Sequence, residues 1–421
     1  MMPFGVLRLC FTGLFGVALF GLGAYLLYEW TNGLTPTTVE SVLVDDARLA
    51  PADSIPSERL PVVVPGDDRG GAPYLAWGLG LLFLSVGGAL PILPFLGRPP
   101  LGEPHSFESA RTQRISRPDG SELHVEHYGP DSPLTLVFTH GWSLDRTEWY
   151  FVRRALNDRY HLVLWDLAGL GKSSAPGNGD HSLEKMAADL EAVVAEATEG
   201  SVVLIGHSIG GMIQQTFCRL FPDRLQDRIQ GLVFVHTTYI NPVETALGSA
   251  VLSALQKPVI EPLNHLMIWL SPLVRLSNWQ SYSNGSLHLT SRLSSFAGRQ
   301  TWGQVDYASR MAATASPAVV ARGNLAMLRF DERATLPQVH TPALIVSGQH
   351  DRLTQPRASH TLARLLPNAA EVALTPAGHL GHWEQHGAFE AAFVAFVESL
   401  PARGERLLPA AAPRLVEQRG K

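Results

Sequence analysis

The sequence predicts an α/β fold, a mostly parallel sheet with helices on both faces, preceded by an N-terminal transmembrane hairpin. Three observations predict it. Continuous apolar strands alternate with helical segments from about residue 113 to residue 400. One strand–turn–helix carries a glycine-flanked serine, Gly206-His207-Ser208-Ile209-Gly210. Two long uncharged runs come before all of this.

Those runs are Leu9–Tyr28 and Tyr74–Leu96. At about 1.5 Å rise per residue, about twenty helical residues cross a hydrocarbon core of about 30 Å. The alternative for the first is a cleaved signal peptide, since Arg8 precedes it, but no small-x-small cleavage site follows Ala24. The alternative for the second is a buried core helix. Arg8 lies before the first run, and Arg98, Arg111, Arg114 and Arg117 lie after the second. The bases Arg48, Arg59 and Arg69 between them are outnumbered by acids from Glu29 to Asp68. The positive-inside rule then predicts a multi-pass membrane region over 1–100 with spans at about 9–28 and 74–96. The connecting loop would be extracytoplasmic and the catalytic domain cytoplasmic. Charged residues make up 17 % of the 421, below the typical quarter, as apolar runs of this kind would cause. The net charge of −5 gives no basic footprint, so nucleic acid is not an expected partner. Cys10 and Cys218 are the two cysteines, too few for a disulfide framework or a thiolate zinc site.

The core is expected over 105–236 and 337–400. Gln113–Ser116 and Glu122–Tyr128 flank Pro118-Asp119-Gly120 as a hairpin. Strands then follow at Leu134–Thr139, His161–Trp165, Ser201–Gly206, Ile229–His236, Ala343–Gly348 and Ala370–Leu374. Helices are expected at Arg146–Asn157, Leu183–Glu199, Gly210–Phe221, Arg357–Leu366 and Ala388–Leu400. Residues 237–336 hold no clear strand and are too long for a structureless loop, so they read as a helical lid over the carboxyl edge. Its apolar stretch Ala246–Leu276 fits either an acyl channel or packing between lid helices. Residues 401–421 read as a flexible tail.

The chemistry centres on Ser208. A tight turn between strand and helix, with Gly206 and Gly210 on either side, lifts its hydroxyl above the sheet edge. A serine needs a base. His379, in Pro376-Ala377-Gly378-His379 after the last strand, is the favoured one, with His382 and His386 as neighbouring competitors. A carboxylate must hold the imidazole tautomer. Asp351, just past the strand Ala343–Gly348, fills that role, because the loop His236-Thr237-Thr238-Tyr239 has no acid and Asp331 and Glu332 precede their strand. The backbone N–H groups of Ile209 and Trp142 are the expected oxyanion donors; losing one such donor typically costs about 10²–10³ in rate. His140 is expected to orient that loop. The His379, His382, Glu384, His386 cluster lacks H-E-x-x-H, so no metal is expected, and no cofactor. The segment Gly169–Ser174 ends like a phosphate loop, but Asp166 stands where that motif needs glycine.

Taken in order, His140-Gly141-Trp142, Asp166 to Ser173, Gly206 to Gly211, Gly348 to Asp351 and Gly378 to Glu384 resemble the signature blocks of α/β-hydrolase-fold proteins. The resemblance covers about Gln113 to Leu400 and departs at Leu170, where histidine is frequent. It implies a serine hydrolase of the esterase or lipase kind with the triad Ser208, Asp351, His379, since related dehalogenases and epoxide hydrolases carry Asp at the nucleophile. It does not reach the N-terminal runs and says little of the substrate. Membrane tethering would favour a lipid or other lipophilic acyl ester as partner. An acyltransferase or perhydrolase (haloperoxidase-like) reaction with the same triad, and an inactive scaffold, are the alternatives.

Overall fold

The computed structural model describes residues 2–33, 71–100, 102, 107–109, 111–400 and 415–419. Among these, nine strands form one sheet. They are β1 (Arg111–Ser116), β2 (Glu122–Tyr128), β3 (Leu134–Thr139), β4 (His161–Trp165), β5 (Ser201–His207), β6 (Ile229–Val235), β7 (Ala343–Gly348), β8 (Ala369–Thr375) and β9 (Leu415–Arg419). Their spatial order is β1-β2-β4-β3-β5-β6-β7-β8-β9. The hairpin turns at Gly120, φ +81°, where Asp119 Oδ1 accepts the Ser121 N–H at 2.9 Å. β1–β2 and β2–β4 are antiparallel; all later pairings are parallel.

The apolar strands require cover on both faces. In β5 every residue is buried. Val202 and Leu204 enter one core with the helices Leu183–Ala197 and Ile209–Leu220. Val203 and Ile205 enter the other with Tyr150–Leu156 and His386–Ser399. Ser182 caps the first of these helices by accepting the Lys185 N–H at 3.2 Å. Between β6 and β7 the chain leaves the sheet and forms helices from Pro242 to Met327. The segment Leu93–Arg98 is stapled to them: Arg98 N donates to Gln300 O at 3.1 Å, and Gln300 Nε2 to Leu96 O at 2.6 Å. β3 lies between β4 and β5, so the chain reverses its direction of growth there. The loops leaving β3 and β5 open a crevice at the carboxyl edge, the usual ligand position in open α/β sheets.

The chain divides into two units, Leu14–Gly88 and the remainder. In the smaller, two helix segments meet through glycine. A Cβ at Gly23 would lie 3.1 Å from Gly78 O, and one at Gly78 would lie 2.8 Å from Leu27 Cδ2. The two-span, multi-pass membrane arrangement is corrected here: among the described residues no single helix is long and apolar enough to cross a membrane. The second run breaks at Gly88 into Ala72–Gly87 and Ala89–Phe95, bent by 75°. The first lies within the helix Met2–Gly33, which continues past Tyr28 through Glu29. The intervening residues 34–70 lie outside the described residues, as do 401–414 and 420–421 of the expected tail. Leu415–Arg419 of that tail pairs parallel to β8.

Candidate active site

The turn from β5 into the helix Ile209–Leu220 holds Ser208 at φ 53°, ψ −114°. Positive φ is uncommon for a residue with a Cβ and persists only where neighbours impose it. Here Ser208 N donates to Val235 O at 2.9 Å, and Thr237 Oγ1 donates to Ser208 O at 2.6 Å. The flanking glycines are steric requirements. A Cβ on Gly206 would lie 2.4 Å from Gly210 C, and one on Gly210 would lie 2.5 Å from Thr139 O.

His379, in the loop after β8, brings Nε2 to 3.0 Å from Ser208 Oγ. Its Nδ1 faces Asp351 Oδ2 at 2.8 Å. Asp351 in turn is fixed by the loop after β7. Its Oδ1 accepts the N–H groups of Leu353 and Thr354 at 2.8 and 3.0 Å, and Oδ2 accepts Thr354 Oγ1 at 2.8 Å. Burial alone would raise the Asp351 carboxyl, but His379, His236 and the Thr354 N–H hold it down to about 2. Burial pushes the His379 imidazole below its ordinary value, against the pull of Asp351. A neutral imidazole hydrogen-bonded to a hydroxyl on one side and an ionised carboxylate on the other can take the hydroxyl proton and have the resulting charge stabilised. His382 turns instead to Glu148, Nε2 to Oε1 3.1 Å, and His386 stacks on Phe151 with ring centroids 4.4 Å apart.

Ile209 opens its helix, so its N–H has no carbonyl four residues back within that helix. Trp142 follows β3. Its indole Nε1 donates to Val320 O at 3.0 Å, and the ring fills the space over Gly323, where a Cβ would lie 2.1 Å from Trp142 Cζ2. His140 ties the same loop down, accepting the Leu167 N–H at Nε2 (3.0 Å) and donating from Nδ1 to the adjacent Gly141 O (2.8 Å). The Gly169–Ser174 turn wraps a carboxylate. Asp166 accepts Lys172 N at 2.8 Å, Arg146 N at 2.8 Å and Arg146 Nη1 at 3.0 Å. Arg146 also meets Glu126 at 2.7 Å, all in the interior.

The space above Ser208 is small, about 20 Å³, and is lined by Trp142, Leu144, Met212, Met327 and Leu353 with His379. None of the residues from Ala246 to Leu276 lines it. Instead Val251, Trp269, Leu273 and Leu276 are exposed at 63, 78, 63 and 69 %. The stretch is therefore divided: Ala246, Leu252, Ile260 and Met267 are buried in helix packing, those exposed residues face outward, and none of it forms an acyl channel in this structure.

One group of residues escaped the sequence reading. Glu148, His207 and His382 are all buried, with one potential ligand atom from each within 4.8 Å of the others. They come from three distant segments, and a single chain offers no spacing that links them. The one available signal is an acid placed directly before the apolar run Trp149-Tyr150-Phe151.

Comparison with known proteins agrees with this fold. A family model described as alpha/beta hydrolase fold matches residues 135–385. The chain is 30 % identical over 287 residues to a pimeloyl-[acyl-carrier protein] methyl ester esterase of Xanthomonas axonopodis pv. citri, covering 66 % of this chain and 100 % of that one. It is 25 % identical over 279 residues to the protein of the same name from Vibrio atlanticus, covering 65 % and 97 %. A thermophilic esterase from Thermogutta terrifontis superposes with a TM-score of 0.55 at 26 % identity, over 69 % of this chain and 98 % of that one. With the model spanning more than half of the sequence, the chain belongs to the α/β-hydrolase fold family.

Proposed function

We propose that this protein is a serine carboxylesterase whose nucleophile is Ser208, and that it prefers lipophilic esters. The observation that carries the reading is the hydrogen-bonded line Ser208 Oγ, His379, Asp351 set in a buried pocket. Ser208 Oγ attacks the ester carbonyl while His379 Nε2 takes its proton. The carbonyl oxygen, now an anion, lies against the backbone N–H groups of Ile209 and Trp142. Collapse of this intermediate breaks the ester C–O bond, and His379 returns the proton to the departing alcohol. Water then repeats the sequence on the acyl-enzyme, with His379 again the base, and releases the acid. The helices from Pro242 to Met327 act as a lid. They must move to admit substrate, since the closed space of about 20 Å³ holds about one water. The apolar lining and the two adaptable methionines, Met212 and Met327, support acyl groups with little polarity.

Two measurements test the reading. A fluorophosphonate probe should label the wild type and not Ser208→Ala; equal labelling of both would remove Ser208 from the mechanism. In a p-nitrophenyl series, kcat/KM should rise from acetate to medium chains, and a preference for acetate would overturn the lipophilic part alone.

A further inference from the structure

Beneath the nucleophile lies a charged cluster that the esterase reading leaves unused. Glu148 is fully buried. Its Oε2 accepts the backbone N–H of Gly141 at 2.6 Å, in the loop that supplies the Trp142 N–H. Its Oε1 meets His207 Nδ1 in direct contact and His382 Nε2 at 3.1 Å. On the far side of its ring, His207 Nε2 donates to the carbonyl oxygen of His379 at 3.0 Å. Both nitrogens of His207 thus face acceptor oxygens, one on Glu148 and one on the base loop. Burial holds the His382 imidazole down to about 4, which leaves it neutral beside the Glu148 carboxylate. Burial would raise the Glu148 carboxyl, but His207 and His382 together hold it well below its usual range.

The geometry points to Glu148 as a positioning residue that fixes the oxyanion loop and the base loop relative to Ser208, acting through Gly141 on one side and His207 on the other. The inference rests on the esterase reading for its catalytic consequence. Two features favour a direct carboxylate–imidazole contact over a metal site. Ligand atoms about 2.0–2.1 Å from a tetrahedral zinc sit about 3.3 Å from each other, and His207 Nδ1 and Glu148 Oε1 are much closer than that. Oε2 is already engaged by a backbone donor. A loop held by one charge-assisted hydrogen bond is placed to a fraction of an ångström, and a misplacement of about 1 Å costs on the order of 10²-fold in rate.

The test uses the full chain carrying Glu148→Gln, which keeps the shape and removes the charge. With concentrations set by fluorophosphonate titration of Ser208, kcat per active site should fall on the order of 10²-fold while KM changes by less than about threefold, because the effect falls on the transition state. A boronic acid analogue should lose affinity by the same factor. A folding defect alone would lower the titrated concentration and leave both per-site values intact. If Glu148→Gln does not fold, His382→Phe keeps the ring packing and removes one donor, and should show the same split at about tenfold. The wild type should also show a far-downfield imidazole N–H proton resonance that disappears in Glu148→Gln; this readout needs no activity. Unchanged per-site kcat and analogue affinity would overturn the proposal. So would the absence of that resonance, or stoichiometric zinc in the wild type that is lost in Glu148→Gln. If the resonance behaves as expected while Ser208-dependent hydrolysis is absent, the Glu148–His207 contact stands and the esterase reading falls.

Discussion

Replacing Asp351 with asparagine should abolish most activity through the tautomer it imposes on His379, with little change in packing. Asp351 Oδ1 accepts two backbone N–H groups, from Leu353 and Thr354. The amide oxygen of the new side chain must keep that place, because an NH₂ there would face two donors. The amide nitrogen is therefore forced into the Oδ2 position, facing Thr354 Oγ1 and His379 Nδ1. It donates to Nδ1, which drives the imidazole proton onto Nε2, the atom 3.0 Å from Ser208 Oγ. A protonated Nε2 cannot accept the serine proton. The expected loss in kcat/KM is about 10⁴-fold, or about 5.4 kcal/mol of transition-state stabilisation at about 1.36 kcal/mol per decade. The assay is p-nitrophenyl ester hydrolysis from about pH 6 to 9, with circular dichroism and thermal melting to show that Asp351→Asn is folded. A folded variant with less than about a tenfold loss would refute the reasoning and remove Asp351 as the partner of His379.

Three more outcomes follow from the same contacts. Burial lowers the His379 pKa below 6.5, and the base works only when neutral, so kcat/KM should rise with pH through a midpoint below 6.5 and then level off. A midpoint at or above about 7 in the pH–rate profile would contradict this. Because that folded-state value is depressed, the group's contribution to stability is present above about 6.5 and declines as pH falls below it. Gly206→Ala places a Cβ 2.4 Å from Gly210 C, a backbone atom that cannot swing aside, and should cost about 1–3 kcal/mol or more in urea unfolding while displacing Ser208; wild-type stability would refute it. Arg146→Ala strands the buried carboxylates of Glu126 and Asp166 and should cost about 3–5 kcal/mol, read from denaturant midpoints, with a loss under about 1 kcal/mol contradicting the pairing.

The sheet was legible because its signal is local. The apolar run Ser201–Gly206 and the observed β5 differ by one residue, and β3, β4 and β7 match the expected bounds. The geometric line from Ser208 through His379 to Asp351 was legible for a related reason: each residue sits at the carboxyl end of a strand, a position that a strand prediction already specifies. The N-terminal expectation failed on a backbone event. Hydropathy over Tyr74–Leu96 averages across the Gly87-Gly88 pair, where the helix bends by 75°. Glu332, set aside because it precedes its strand, is buried, and Arg219 Nε reaches it at 2.8 Å. Periodicity cannot foresee a partner from a helix more than a hundred residues away. The Glu148 cluster lies beyond sequence reading for the same reason.

The Trp142 indole sits against Gly323 and hydrogen-bonds Val320 O, so the oxyanion loop and the helix Pro317–Met327 share one packing surface. On the esterase reading, this makes the helical insertion part of the frame that holds the Trp142 N–H in place. A chimaera that grafts a relative's insertion onto this sheet would inherit a working site only if the graft brings a residue with no side chain to position 323 and an unobstructed carbonyl to position 320. On the same reading, substitutions at Pro242 and Leu353, which border the pocket, should shift substrate range.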